Sequence, residues 1–163
     1  MNTQAYRFVI GAMAFCGSSF AAWANCVPPY ATLFACDILD SDQRVEFCQS
    51  EPDANGIPDR YSYNFAAGAA MSELYFISDD NRFSTKYYRG GDASRETVGF
   101  GLPHEGYVYA FYITGVFGSS IQAAQLHVFD SLKAFESDKG EQEMLRLYCA
   151  PESVLVDWTF IGP

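Results

Sequence analysis

His104 and His127 are the only imidazoles in this 163-residue chain, so any histidine-based acid–base chemistry near neutral pH must use one of them. His127 lies in a β-rich segment close to Asp130, and His104 sits beside Glu105 in the turn-like run Pro103-His104-Glu105-Gly106. A hydrolytic triad needs a nucleophile, a base and an orienting acid in one place. Ser119 and Ser120 offer hydroxyls, but nothing like a nucleophile elbow surrounds them. Both histidines therefore read as structural, no catalytic residue is assigned, and the expectation is a protein that is not an enzyme. Two histidines are also too few for a zinc site without help from acids. With 20 Asp and Glu present, a carboxylate-based hydrolase is the enzymatic alternative, although no pair of acids stands out.

Two other segments have the composition of binding sites. The run from Arg82 to Asp92 gathers Arg82, Ser84, Lys86, Tyr87, Tyr88, Arg89 and Asp92, with Arg95 just beyond, in an otherwise acidic protein. Tyr and Arg are frequent interface anchors, and loops on a rigid scaffold commonly present them, so this is the expected partner-binding loop. The second segment, Glu51-Pro52-Asp53-Ala54-Asn55-Gly56-Ile57-Pro58-Asp59, resembles the calcium loops of thrombospondin type 3 repeats and of some outer-membrane proteins. Ca²⁺ takes six to eight oxygens, which alternate residues can supply around a Gly-permitted turn. The resemblance implies side-chain oxygens from Glu51, Asp53, Asn55 and Asp59 and the carbonyl of Ile57. The sequence departs from the motif in opening with Glu rather than Asp, and in having Ser62 where a bidentate acid completes the shell. Apart from this Ca²⁺, no cofactor is expected.

The N-terminus supplies an address. Arg7 precedes an apolar run from Phe8 to Phe20, and Ala22-Trp23-Ala24 has the small residues of a cleavage site, so residues 1–24 read as a secretory signal peptide. Phe15 before Cys16 is not the small residue of a lipoprotein site, so no membrane anchor is expected after cleavage. Cleavage removes Cys16 and leaves Cys26, Cys36, Cys48 and Cys149, an even set suited to disulfides in an oxidising compartment. It also removes Arg7, the only charge in the leader, and takes the net charge from −10 to −11. Such an acidic chain repels nucleic acid and favours a cationic partner. The expected location is the bacterial periplasm or the exterior.

Residues 25–163 read as one exported domain. Thr32–Asp37 and Arg44–Gln49 flank the turn cluster Asp40-Ser41-Asp42 as a hairpin, and Tyr61–Phe65 and Glu73–Ile77 follow as strands around a small-residue connector. Residues 79–94 read as a long exposed loop. Arg95–Leu102, Tyr107–Thr114 and Ile121–Phe129 read as successive strands, with Tyr107–Thr114 apolar on both faces and therefore central. Leu132–Glu136 and Met144–Cys149 read as a pair around a turn, and Val154–Ile161 as the closing strand. The fold class is all-β: a disulfide-bonded antiparallel β-barrel or sandwich of about eight strands. Cys36 and Cys48 lie symmetrically about Asp42, which predicts the bond 36–48 and, by remainder, 26–149. Four cysteines permit three pairings.

The order of the cysteine hairpin around Arg44–Cys48, Tyr61–Phe65, Glu73–Phe76, Gly106–Tyr109 and Leu147–Cys149 resembles small exported proteobacterial β proteins of unassigned function. The run of Ser84, Lys86, Tyr87 and Arg89–Ala93 is similar, more loosely, to loops of the periplasmic c-type lysozyme inhibitors, disulfide-bonded β proteins that plug a cationic enzyme's cleft. This likeness implies an exported non-enzymatic binding protein of the envelope that docks a protein partner, as an inhibitor or immunity protein against a cell-wall-degrading enzyme. The alternative outside enzymology is a structural or calcium-binding secreted domain.

Overall fold

A computed structural model of the chain describes residues 26–68, 71–86, 96–116, 120–137 and 143–161. The expected signal peptide, residues 1–24, lies outside them. Among the described residues, ten strands form two antiparallel five-stranded sheets. Sheet 1 contains β1 (Ala31–Asp37), β2 (Gln43–Gln49), β3 (Tyr61–Ala67), β4 (Leu74–Ser78) and β10 (Leu155–Val156), in the order β10-β1-β2-β3-β4. Sheet 2 contains β5 (Arg82–Lys86), β6 (Glu96–His104), β7 (Tyr107–Val116), β8 (Ser120–Phe129) and β9 (Glu143–Tyr148), in chain order. The all-β reading holds, and the architecture is a sandwich rather than a closed barrel.

The core follows from period-two alternation. Tyr61, Tyr63 and Phe65 of β3 face inward, while Ser62 and Asn64 face out. On β2, Val45 and Phe47 face inward, and Arg44, Glu46 and Cys48 lie on the other face. The two inner faces meet in an aromatic cluster. Phe34 of sheet 1 stacks on Phe111 of sheet 2 at 4.3 Å, and the Phe47 ring meets Phe111 edge-on at 5.0 Å. β7 is central and apolar on both faces, as its sequence predicts. Phe111 and Ile113 enter this core, while Val108, Ala110 and Tyr112 enter a smaller cluster on the outer side of sheet 2.

A short helix, α1 (Leu132–Glu136), covers that smaller cluster with Ala134 and Phe135, where the sequence predicts a strand. Ser131 caps it by accepting a hydrogen bond from the Ala134 amide at 3.1 Å. The predicted closing strand is also shorter than expected: β10 spans two residues, and α2 (Trp158–Ile161) follows. Arg82–Lys86, expected in an exposed loop, is an edge strand paired with β6. His104, expected in a turn, is the last residue of β6. The turn itself is Glu105-Gly106, both at positive φ, a backbone that suits a tight two-residue hairpin and favours Gly at 106.

The disulfides correct the predicted pairing. Cys26 bonds Cys48, and Cys36 bonds Cys149. In the hairpin register Cys36 lies opposite Val45 and Cys48 opposite Thr32, so the hairpin is not centred on Asp42. Cys48 is three residues beyond Val45, an odd number, and points to the opposite face from Cys36. Cys36 thus lies in the core with Cys149, and Cys48 lies on the outer face, where Cys26 meets it. The Cys36–Cys149 bond sits where the two sheets approach one another: Ile38 bridges Cys149, and the Leu39 amide donates to the Tyr148 carbonyl at 2.8 Å.

Candidate functional site: a strapped acidic cleft

The outer face of sheet 1 carries one cross-strand row in which Glu46 of β2, Asn64 of β3 and Tyr75 of β4 are direct register neighbours. In the adjoining row Cys48 lies beside Ser62. From Cys48 the disulfide holds the segment Cys26–Tyr30 across this face, and the Tyr30 amide donates to the Val27 carbonyl at 3.0 Å. Between strap and sheet lies a cleft of about 340 Å³, bordered by the strap, Glu46, Ser62, Asn64, Ser72 and Tyr75. That volume falls within the range of small-molecule sites.

Glu46 is the chemically distinctive group here. It is 1% exposed, yet a carboxyl is costly to bury unless its oxygens are bonded. Arg44 Nε donates to Glu46 Oε1 at 3.2 Å, and Asn64 Nδ2 donates to Oε2 at 3.3 Å. Arg44 also donates to Asp37 Oδ1 at 2.8 Å, and the Ser72 hydroxyl donates to Asn64 Oδ1. The result is one polar chain, Asp37–Arg44–Glu46–Asn64–Ser72, running under the cleft. Burial pushes the Glu46 carboxyl above its ordinary value, against the lowering effect of its bonds from Asn64 and Arg44.

A raised carboxyl contributes stability that is fully present below its unfolded value and lost as pH rises through the folded value. The Glu46→Gln variant should therefore lack a gain in stability that the parent shows as pH falls from neutral toward about 4.5. Denaturant midpoints of both proteins across that range check this. Parallel pH profiles would contradict it.

The residues singled out from sequence are distributed elsewhere. Arg82, Ser84 and Lys86 fall on β5, while Tyr87, Tyr88, Arg89 and Asp92 lie outside the described residues. The 51–59 loop is organised by its own hydrogen bonds. Asp53 Oδ1 accepts from the amides of Asn55 (2.7 Å) and Ile57 (3.0 Å), and Oδ2 accepts from the Asn55 side chain (3.0 Å). The Ile57 carbonyl accepts from the Asp53 amide, and Asp59 accepts from the Ser50 hydroxyl at 2.8 Å. These bonds, the Ile57 amide first, hold the Asp53 carboxyl below its ordinary range. Glu51 is exposed. Among the described residues, no group of three or more His, Cys, Asp or Glu is placed to hold a metal.

His127 pairs with Glu143 of β9 rather than with Asp130, and its Nε2 lies 2.8 Å from Gln125 Oε1. Glu143 also pairs with Arg146, whose guanidinium is held more firmly charged by hydrogen bonds to Glu143 and Tyr148. Ser119 lies outside the described residues, and Ser120 begins β8, seven residues from His127, or about 23 Å along an extended strand. His104 stacks on Phe76 at 4.0 Å. Among the described residues, Ser120 and His127 are thus not brought together as a nucleophile and its base.

The Glu46 cleft was missed from sequence, although its ingredients alternate visibly in Arg44-Val45-Glu46-Phe47-Cys48 and Tyr61-Ser62-Tyr63-Asn64-Phe65. No family model, no curated protein and no solved structure matches this chain. The functional reading therefore rests on the site. Two disulfides accord with a life outside the reducing cytoplasm, and among the described residues no helix is long and apolar enough to cross a membrane.

Proposed function

We propose that this chain is an exported, non-enzymatic binding protein of the bacterial envelope. It docks a basic protein partner through the strapped outer face of sheet 1, as an inhibitor or immunity protein against a cell-wall-degrading enzyme. The observation that carries this reading is the preformed cleft: a disulfide fixes its roof, and a hydrogen-bonded buried carboxyl fixes its floor. A site fixed before binding loses little entropy on association. Occlusion is the mechanism. A rigid sandwich covers the partner's active groove, and the chain's net charge of −10 accelerates encounter with a basic enzyme. The 82–95 segment, with Arg82, Ser84, Lys86, Tyr87, Tyr88, Arg89 and Asp92, is the second contact region of this proposal. The likeness of its composition to lysozyme-inhibitor loops supports that assignment.

A wall-lysis assay with a c-type lysozyme tests the proposal. Inhibition should saturate near one equivalent of the oxidised protein and weaken with added salt. Undiminished lysis at large excess, with lysozyme and with other basic wall hydrolases, would overturn it.

A further inference from the structure

We infer that the cleft of sheet 1 is a receptor for an organic cation, an alkylguanidinium or alkylammonium head group. The inference rests on reading this face as the binding site and adds the chemistry of what enters it. Among the described residues that border the cleft, Glu46 is the one with a formal charge; the rest of the wall is serine hydroxyls, the Asn64 amide, two tyrosines and the apolar strap. The Glu46 carboxylate beneath the cleft repels an anion and gives a neutral ligand no charge-assisted contact, whereas a cation would add to the pairing that Arg44 already supplies. The polar part of the wall suits a cation, and the apolar strap suits its alkyl stem.

The polar chain beneath shows the same preference. Arg44 sits between Asp37 and Glu46, so the three groups alternate as minus, plus, minus. A second cation on the cleft side of Glu46 would extend the alternation and use acceptor capacity that Arg44 and Asn64 leave on its two oxygens. Ser62 and Ser72 also border the cleft. Tyr30 contributes a ring from the strap, and Tyr75, 55% exposed, contributes one from β4, so a cation or its alkyl stem can lie against an aromatic face. The volume of about 340 Å³ suits a head group with a short stem rather than a folded peptide.

The same chemistry comes from two sources, a free amine or guanidine metabolite and an Arg or Lys side chain of a protein partner. The disulfide-bonded roof ties either to the oxidised protein, because a dithiol reductant that cleaves Cys26–Cys48 frees the strap from the sheet.

Isothermal titration of the oxidised protein with n-butylguanidinium, n-butylammonium and neutral n-butylurea tests the inference. Both cations should bind, with butylurea at least about tenfold weaker, the value of one well-placed charged contact. The Glu46→Gln variant should lose that discrimination. Tyr75→Leu, a change at an exposed position, should weaken both cations without loss of the fold. A short peptide carrying one Arg should bind at least as well as butylguanidinium if the source is a partner side chain, and less well if it is a metabolite. Equal affinity for butylurea, or undiminished cation binding in Glu46→Gln and Tyr75→Leu, would overturn the inference. If lysozyme is inhibited while no cation binds, this inference falls and the docking proposal stands. If cations bind while no wall enzyme is inhibited, the docking proposal falls alone.

Discussion

Replacing Cys36 and Cys149 together by alanine is expected to lower the free energy of unfolding by about 4–5 kcal/mol. The bond joins positions 113 residues apart, and the constraint it places on the unfolded chain grows with the logarithm of that separation. Domains of this size are stable by about 5–15 kcal/mol, so this one bond accounts for a large fraction of the whole. Both cysteines are buried, and Cys36 lies in the main core, so packing adds to the loss. The Cys26–Cys48 bond closes a 22-residue separation and should contribute less, about 3 kcal/mol in the same model. Urea denaturation of the variants under identical conditions measures the difference. A loss below about 1 kcal/mol for the Cys36/Cys149 pair would contradict the placement of that bond as the clasp between the sheets.

Phe47→Ala is the second large effect, expected to destabilise by about 3–5 kcal/mol. Phe47 is fully buried and touches four aromatic rings: Phe34 and Tyr63 of its own sheet, and Phe100 and Phe111 of the facing one. Truncation leaves a cavity between two sheets, and strands held in register by their neighbours on both sides cannot collapse to fill it. Phe47→Leu, which retains much of the volume, should cost clearly less. If thermal and denaturant midpoints place the two variants at equal stability, the edge-to-face contacts at this position are not what hold the sheets together.

The strands were legible in the sequence where alternation is strong. Tyr61-Ser62-Tyr63-Asn64-Phe65 separates an inner from an outer face without a structure, and the two apolar faces of β7 mark it as central. Errors arose where a single-residue offset or a cap decides the outcome. A hairpin centred on Asp42 would oppose Cys36 to Cys48. The register of Cys36 with Val45 moves Cys48 to the other face and exchanges both disulfide partners. In Leu132–Glu136 the run is too short for a periodicity to show. The signal that was present is Ser131 immediately before helix-forming Leu, Lys and Ala, the cap the structure uses. Lys86 and its neighbours pair with β6 although their polar character suggests a loop, because charged residues are common on sheet edges.

The site was legible only in its ingredients. Arg44, Glu46, Ser62 and Asn64 can be assigned to outer faces from alternation, but a polar outer face is the normal condition of a sandwich strand. Two long-range facts turn it into a cleft: the β2–β3–β4 register that aligns Glu46, Asn64 and Tyr75, and the disulfide that lays the strap over them. Neither is encoded in local periodicity.

Amide chemical-shift mapping of the oxidised protein titrated with a c-type lysozyme tests the central claim most directly, because it locates the binding face as well as detecting it. The predicted result is a set of shifts concentrated on the strap amides of Cys26, Val27 and Tyr30 and on Glu46, Cys48, Ser62, Asn64, Ser72 and Tyr75. A complex whose shifts leave this face untouched would contradict the assignment of the cleft as the binding site.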